Sequence, residues 1–212
     1  MDQLSAQDAQ FLYMESRENH IHVTAVAVFD PSTVPGGGVV RFKDILGHIE
    51  KRLHMSPLFR RRLVRVPMEL DFPYWVNDES FNLEHHVQHG RLPKPGDWRQ
   101  FCIQMSRFHA RPLDLSRPLW EMLVIEGLDH IDGFPEGCYA IATKLHHAAV
   151  DGASILNFYR ALVVVDNMGT PAVPLDSVRE KISPRPGIFN IATRAAWNTL
   201  RSPIGMTDAV MR

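Results

Sequence analysis

Cysteine is scarce in this chain: 212 residues contain two, Cys102 and Cys138, with no CxxC pair. That spacing excludes a zinc ribbon and a disulfide framework, so both read as reduced thiols in a cytoplasmic protein. An excess of one charge is missing as well. Lys plus Arg is 23 against 24 Asp plus Glu, a formal net charge of -1. A broadly basic nucleic-acid binder is thereby excluded. No apolar run approaches the ~20 residues of a membrane span; the longest, 23–29 (interrupted by Thr24) and 161–165, have strand or helix length. The opening Met1-Asp2-Gln3-Leu4-Ser5 has neither a basic nor an apolar region, so no secretory signal is expected. Repeats and low-complexity tracts are absent too.

What is present is a globular composition, 45% hydrophobic and 22% charged, enough for one domain or half of a larger two-domain protein. Ser5 three residues before Asp8 predicts a capped helix over about 6–15. The β-rich run 22–29 ends at Asp30-Pro31 and predicts a strand. Phe42, Ile45, Leu46, Ile49 and Leu53 share one helical face. Asp97 is the expected N-cap of a helix carrying Trp98, Phe101, Met105 and Phe108. Two strand-like runs, 119–125 and 138–145, flank a turn at 132–137 and suggest an antiparallel hairpin within a mixed sheet. Ile155, Leu156, Tyr159, Leu162 and Val163 predict a further helix, followed by a Pro-rich linker and a last helix over about 188–200. This order of elements indicates an α+β sandwich.

The sharpest local feature is His146-His147-Ala148-Ala149-Val150-Asp151-Gly152, placed where a strand ends. If the strand persists, His147 shares a face with Ile141, Thr143 and Leu145. An imidazole's ordinary value of about 6.5 lets it accept a proton at neutral pH. An acid four residues on can anchor its loop, and Gly152 permits a close backbone approach. Two polar residues at a strand end would be the plain reading of the same pair. Metal binding is disfavoured, because adjacent strand residues point to opposite faces.

This HHxxxDG heptapeptide resembles the active-site motif of the CoA-dependent acyltransferase superfamily, which includes chloramphenicol acetyltransferases and peptide-synthetase condensation domains. Other stretches resemble its bacterial wax ester synthase/diacylglycerol acyltransferase branch: the opening segment 4–12, Phe59-Arg60-Arg61-Arg62-Leu63, Phe81-Asn82-Leu83-Glu84-His85-His86-Val87, and Pro118-Leu119-Trp120. The resemblance covers most of residues 4–165. It implies a chloramphenicol-acetyltransferase-like α+β sandwich, a mixed sheet covered by helices, as one of two similar halves. It implies His147 as general base, His146 in a supporting role, and Gly152 as a backbone requirement. Asp151 would be structural, paired with an arginine. Pro118, Leu119 and Trp120 would shape packing or the entry to the site.

The implied reaction moves a long acyl chain from acyl-CoA to diacylglycerol, or to a fatty alcohol to give a wax ester, with no metal and no cofactor beyond the acyl-CoA substrate. Family members are about twice as long as this chain. Residues 1–166 would then be an acyltransferase half-domain, 167–187 a linker, and 188–212 a linker helix leading to a C-terminal half. That half is an expected partner, as is a membrane or lipid-droplet surface; nucleic acid is not. The rival readings are a condensation-type enzyme with an amine acceptor and a non-catalytic module that binds acyl-CoA or lipid.

Two further features have competing readings. Lys51, Arg52, Arg60, Arg61, Arg62 and Arg65 occur with no acid among them. They could face CoA phosphates or an anionic membrane, but a solvated helix face is the preferred reading. His85, His86 and His89 suggest a metal only superficially, lacking partner ligands at defined spacing. Trp75 and Trp98 read as core or edge aromatics.

Overall fold

The computed structural model describes residues 2–34, 38, 40–150, 152–162, 193 and 197. A four-stranded mixed sheet forms its centre. Strand β7 (Tyr139–His146) lies between β2 (His22–Phe29) and β6 (Trp120–Glu126), antiparallel to both, and β5 (Val87–Arg91) runs parallel to β6 at the far edge. A smaller antiparallel sheet orders β1 (Asp2–Gln3), β4 (Tyr74–Asn77) and β3 (Arg61–Val64) as β1-β4-β3.

Alternation along β7 builds the two faces of the central sheet. Ala140 and Ala142 pack with Phe101 and Phe108 of helix α4 (Trp98–Ala110). Ile141 and Leu145 face the other way, toward Ile45 and Ile49 of α2 (Phe42–Glu50) and Phe158 of α5 (Gly152–Leu162). A third cluster joins Ala9 and Leu12 of α1 (Ala6–Met14) to Leu63, Leu119 and Ala148, which ties the small sheet to the end of β7.

Local chemistry explains the helix starts. The Ser5 hydroxyl accepts from the Asp8 amide at 3.1 Å and donates to the Asp8 carboxylate at 2.6 Å. Asp97 caps α4, accepting from the Gln100 amide at 2.8 Å while the Gln100 side chain accepts from the Asp97 amide at 3.2 Å. Both satisfy amides that a first helical turn leaves unpaired.

The Pro118-Leu119-Trp120 segment is buried where β6 begins. Trp120 is 1% exposed, donates its indole N–H to the Phe59 carbonyl at 3.1 Å, and stacks on His86 with ring centroids 4.6 Å apart. The Leu119 carbonyl accepts from the His146 amide at 3.0 Å. The segment therefore holds the end of β7 in register.

The basic run does not form one helix face. Lys51 and Arg52 follow α2, and Arg52 is buried. Arg60 lies over the Phe81 ring, while Arg61, Arg62 and Arg65 pair with Asp2, Asp78 and Glu69. The solvated helix face expected for this run is therefore not what forms: Asp2 and Asp78 come from distant segments and Glu69 from just beyond the run. Trp75 is half-buried; Trp98 is an exposed edge aromatic packed on Phe101. Among the described residues no helix is long and apolar enough to cross a membrane. The expected linker and the bulk of the expected last helix lie outside the described residues, as does Asp151.

Candidate active site at the end of the central strand

Strand β7 stops at His146, one residue earlier than a shared face with Leu145 would require for His147. The reason is local. The His146 Nδ1 accepts the Ala148 amide at 3.0 Å, closing a short 3₁₀ turn over His147–Ala149. His147 thus leaves the strand's alternation and opens the turn, its amide donating to the Ile21 carbonyl at 2.9 Å.

The two histidines have different environments. His146 is fully buried, and its ring is used at both nitrogens: with Nδ1 accepting, Nε2 carries the proton and donates to the Glu15 carboxylate at 2.6 Å. Its Nδ1–H alternative would leave the Ala148 amide unmatched. His147 is half-buried and stacks on Phe11 of α1, ring centroids 4.2 Å apart. Its Nδ1 is buried without a hydrogen-bond partner among the described residues. Helix α1 therefore supplies both an aromatic wall for His147 and, just beyond its end, the acid that holds His146. Glu15 also lies 3.6 Å from His20 Nδ1.

Burial pushes the His146 imidazole below its ordinary value, opposed by Glu15. Burial does the same to His86, opposed by its hydrogen bond to the Trp120 carbonyl, 2.8 Å from Nδ1. Folding thus favours the neutral form of both. Histidines in the unfolded chain protonate near pH 6.5, so below that value the unfolded state takes up protons that the folded state excludes. Stability is then lost as pH falls. Each histidine contributes a slope of at most about 1.4 kcal/mol per pH unit between its folded and unfolded values. Urea midpoints measured from pH 7.5 down to 5.5 should fall; a flat or rising series would contradict the assignment.

Lys144 is fully buried beside the site. Its Nζ donates to the carbonyls of Phe108 at 3.0 Å and Arg111 at 2.7 Å, and lies 3.4 Å from Glu121. It thereby satisfies carbonyls at the end of α4 and fastens that helix to β7 just before the histidine pair. Burial lowers its pKa, against the pull of Glu121.

A cavity of about 610 Å³ adjoins the turn, lined among others by Ala148, Ala149, Leu58, Trp75, Arg61 and Arg160. Gly152, the last residue of the motif, opens α5. The other histidine cluster does not converge. His86 bonds to Trp120, His89 pairs with Glu126 at 3.0 Å, and His85 meets Arg117.

Glu15 and Lys144 had no sequence motif to announce them, and Phe11, within the opening segment 4–12, had no site role read for it. The Glu15–His146 contact spans 131 positions. Replacing Glu15 with alanine strands a buried N–H and is expected to cost about 2 kcal/mol of stability. Glu15→Gln, which keeps an acceptor, should recover most of that in urea unfolding. Equal losses for the two variants would contradict the pairing.

The sequence model for the wax ester synthase/diacylglycerol acyltransferase catalytic domain matches residues 4–185. The chain belongs to this family. A Mycobacterium tuberculosis relative named as a diacylglycerol O-acyltransferase is 35% identical over 189 residues, covering 86% of this chain and 38% of the relative. A second from that organism, also so named, is 40% identical over 158 residues, covering 74% of this chain and 30% of the relative. The chain therefore spans well under half the length of these family members.

Among solved structures, the wax ester synthase/diacylglycerol acyltransferase from Marinobacter aquaeolei VT8 superposes with a TM-score of 0.62 at 26% identity, over 95% of this chain and 46% of that one. The first condensation domain of the calcium-dependent antibiotic synthetase shares the fold, with a TM-score of 0.58 at 15% identity over 76% of this chain and 36% of its own. The expected α+β fold class and family are thus found.

Proposed function

We propose that the protein containing this chain is an acyl-CoA-dependent O-acyltransferase that forms triacylglycerol from diacylglycerol, with wax esters from fatty alcohols as the alternative product. His147 is the general base. The observation that carries this reading is the division of labour within the pair. His146 has both nitrogens committed to Glu15 and to the Ala148 amide, so it cannot take a substrate proton without losing one of those bonds. His147 has a ring buried on one side and no such commitments among the described residues. The names of the family relatives support the same reaction class.

In this reading the acceptor hydroxyl attacks the thioester carbonyl while His147 Nε2 removes its proton. The tetrahedral adduct then collapses, the C–S bond breaks, and the imidazolium returns its proton to the CoA thiolate. Holding both substrates against one base replaces an acyl-enzyme. Neither cysteine is near: Cys138 packs among the residues facing α4, and Cys102 lies on that helix. Glu15 and the turn fix His146, and His146 fixes the turn that presents His147. Asp151 is assigned the structural role implied by the motif.

Rapid mixing of the full-length protein with a long-chain acyl-CoA tests direct transfer. Release of CoA thiol should require an added diacylglycerol or fatty alcohol. A burst of thiol equal to the enzyme concentration without acceptor would overturn the proposal in favour of an acyl-enzyme.

A further inference from the structure

A second cavity, of about 620 Å³, lies against the central sheet on the side of α2 and α5. Ala25 and Ala27 of β2 with Ile141 and Thr143 of β7 form its floor, and α2 and the end of α5 enclose it. Residue size opens this space. Ala25 lies opposite Thr143 and Ala27 opposite Ile141 in the strand register, so the edge strand sets methyl groups where larger side chains would fill the layer under α2.

The lining is hydrocarbon, and its polar side chains are engaged within the fold. Asp44 accepts from the Arg41 amide at 3.1 Å, His48 donates to the Leu162 carbonyl at 2.8 Å, and Thr143 bonds to the Tyr159 hydroxyl. Burial raises the pKa of Tyr139 and Tyr159, whose rings line the space. A phosphate, a sugar or a glycerol would need several placed polar partners, and water in such a space would find few. The cavity beside the histidine turn is different in kind, with Arg61, Arg160 and Asp8 in its lining.

Strand β2 joins the second cavity to the site. The His147 amide bonds to the Ile21 carbonyl, one residue before β2 begins, and the strand runs from there into the cavity floor. At ~3.3 Å per residue, Ala25 and Ala27 lie about 13 and about 20 Å beyond Ile21. A saturated chain built from C–C bonds of ~1.5 Å advances ~1.3 Å per carbon, so these distances correspond to about ten and about fifteen carbons.

We infer that this cavity receives the distal half of a long, straight alkyl chain on a substrate whose reacting group sits at His147, and that Ala25 and Ala27 set the chain length accepted. The inference rests on the proposed function and deepens it, giving chain length a gauge inside this chain. Both the acyl donor and a fatty alcohol carry such a chain, and the test separates them.

The test is kcat/KM of the full-length protein over two chain-length series, acyl-CoA donors with a fixed acceptor and fatty alcohols with a fixed donor. Values should rise from eight-carbon to sixteen-carbon chains in one series, which identifies the chain that enters. Ala27→Phe adds a ring to the floor. It should lower the sixteen-carbon value on the order of tenfold or more, at about fourfold for each methylene kept out, and leave the eight-carbon value within about twofold. Phe29→Ala, in the lining at the far end of β2, should move the optimum to longer chains. A weakened fold cannot produce opposite shifts in the two variants. Unchanged profiles, or an equal loss at every length, would overturn the inference. So would a lowered Tm in Ala27→Phe, which would mean that the protein's own chain fills the cavity. If the parent transfers no acyl group, calorimetry separates the two readings. Tighter binding of long than of short chains, lost in Ala27→Phe, would keep the cavity assignment and defeat the enzymatic reading; equal binding would end both.

Discussion

His147→Ala should lower the acyltransferase turnover of the full-length protein by about 100- to 10,000-fold, the usual contribution of a positioned general base. The loss should appear in kcat, because alanine removes the proton acceptor while leaving the adjoining cavity and the His146–Glu15 pair in place. Stability should change little. The ring is half-buried, and its one packing partner among the described rings is Phe11. His146→Ala should behave differently, stranding the Glu15 carboxylate and the Ala148 amide together. Its activity loss should therefore come with a lower unfolding midpoint. A His147→Ala variant as active as the parent would remove the base from the mechanism, whatever the fate of His146.

Trp120→Ala is expected to destabilise the fold by about 3–5 kcal/mol, the range for deleting a large buried aromatic. Trp120 meets Phe59, Phe158 and His86, and it sits opposite Leu145 in the β6–β7 register. Deletion would open a cavity in the core between the central sheet and α5. It would also leave the Phe59 carbonyl without its donor. Trp120→Phe narrows the two effects, since it keeps an aromatic ring but loses the N–H and part of the indole volume; about 1–3 kcal/mol of the total should remain in that variant. Urea unfolding checks both. If Trp120→Ala unfolds like the parent while activity collapses, the residue belongs to the substrate path rather than to packing.

The parts of the fold that could be read from sequence are those determined over a few residues. Ser5 with Asp8 and Asp97 with Gln100 are short-range caps, and their helices start where the caps place them. The β-branched run of β2 and the apolar runs of β6 and β7 form strands. Elements stabilised by distant partners could not be read this way. Strand β5 is Val-Gln-His-Gly-Arg, with little strand propensity, and it forms by pairing in parallel with Met122–Glu126. Arg61–Val64 resembles part of a basic patch until β4 lies beside it and Asp2 and Asp78 arrive to pair its arginines.

The site divides in the same way. The histidine pair and the Pro118-Leu119-Trp120 segment were visible as motifs. Their physical relation was not: it is the hydrogen bond from the His146 amide to the Leu119 carbonyl. The expected face of His147 failed by one residue. Period-two reasoning assumes a continuing strand, and the His146 side chain ends it by bonding to Ala148. Glu15 lay hidden among ordinary surface acids, and only the closure of α1 onto the end of β7 gives it a role.

The most direct test of the central claim is product formation by the full-length protein from a labelled long-chain acyl-CoA and diacylglycerol. The account predicts labelled triacylglycerol accumulating in step with free CoA in the parent, and both slowed by about 100-fold or more with His147→Ala. Label recovered only as unreacted acyl-CoA or as free fatty acid would contradict it.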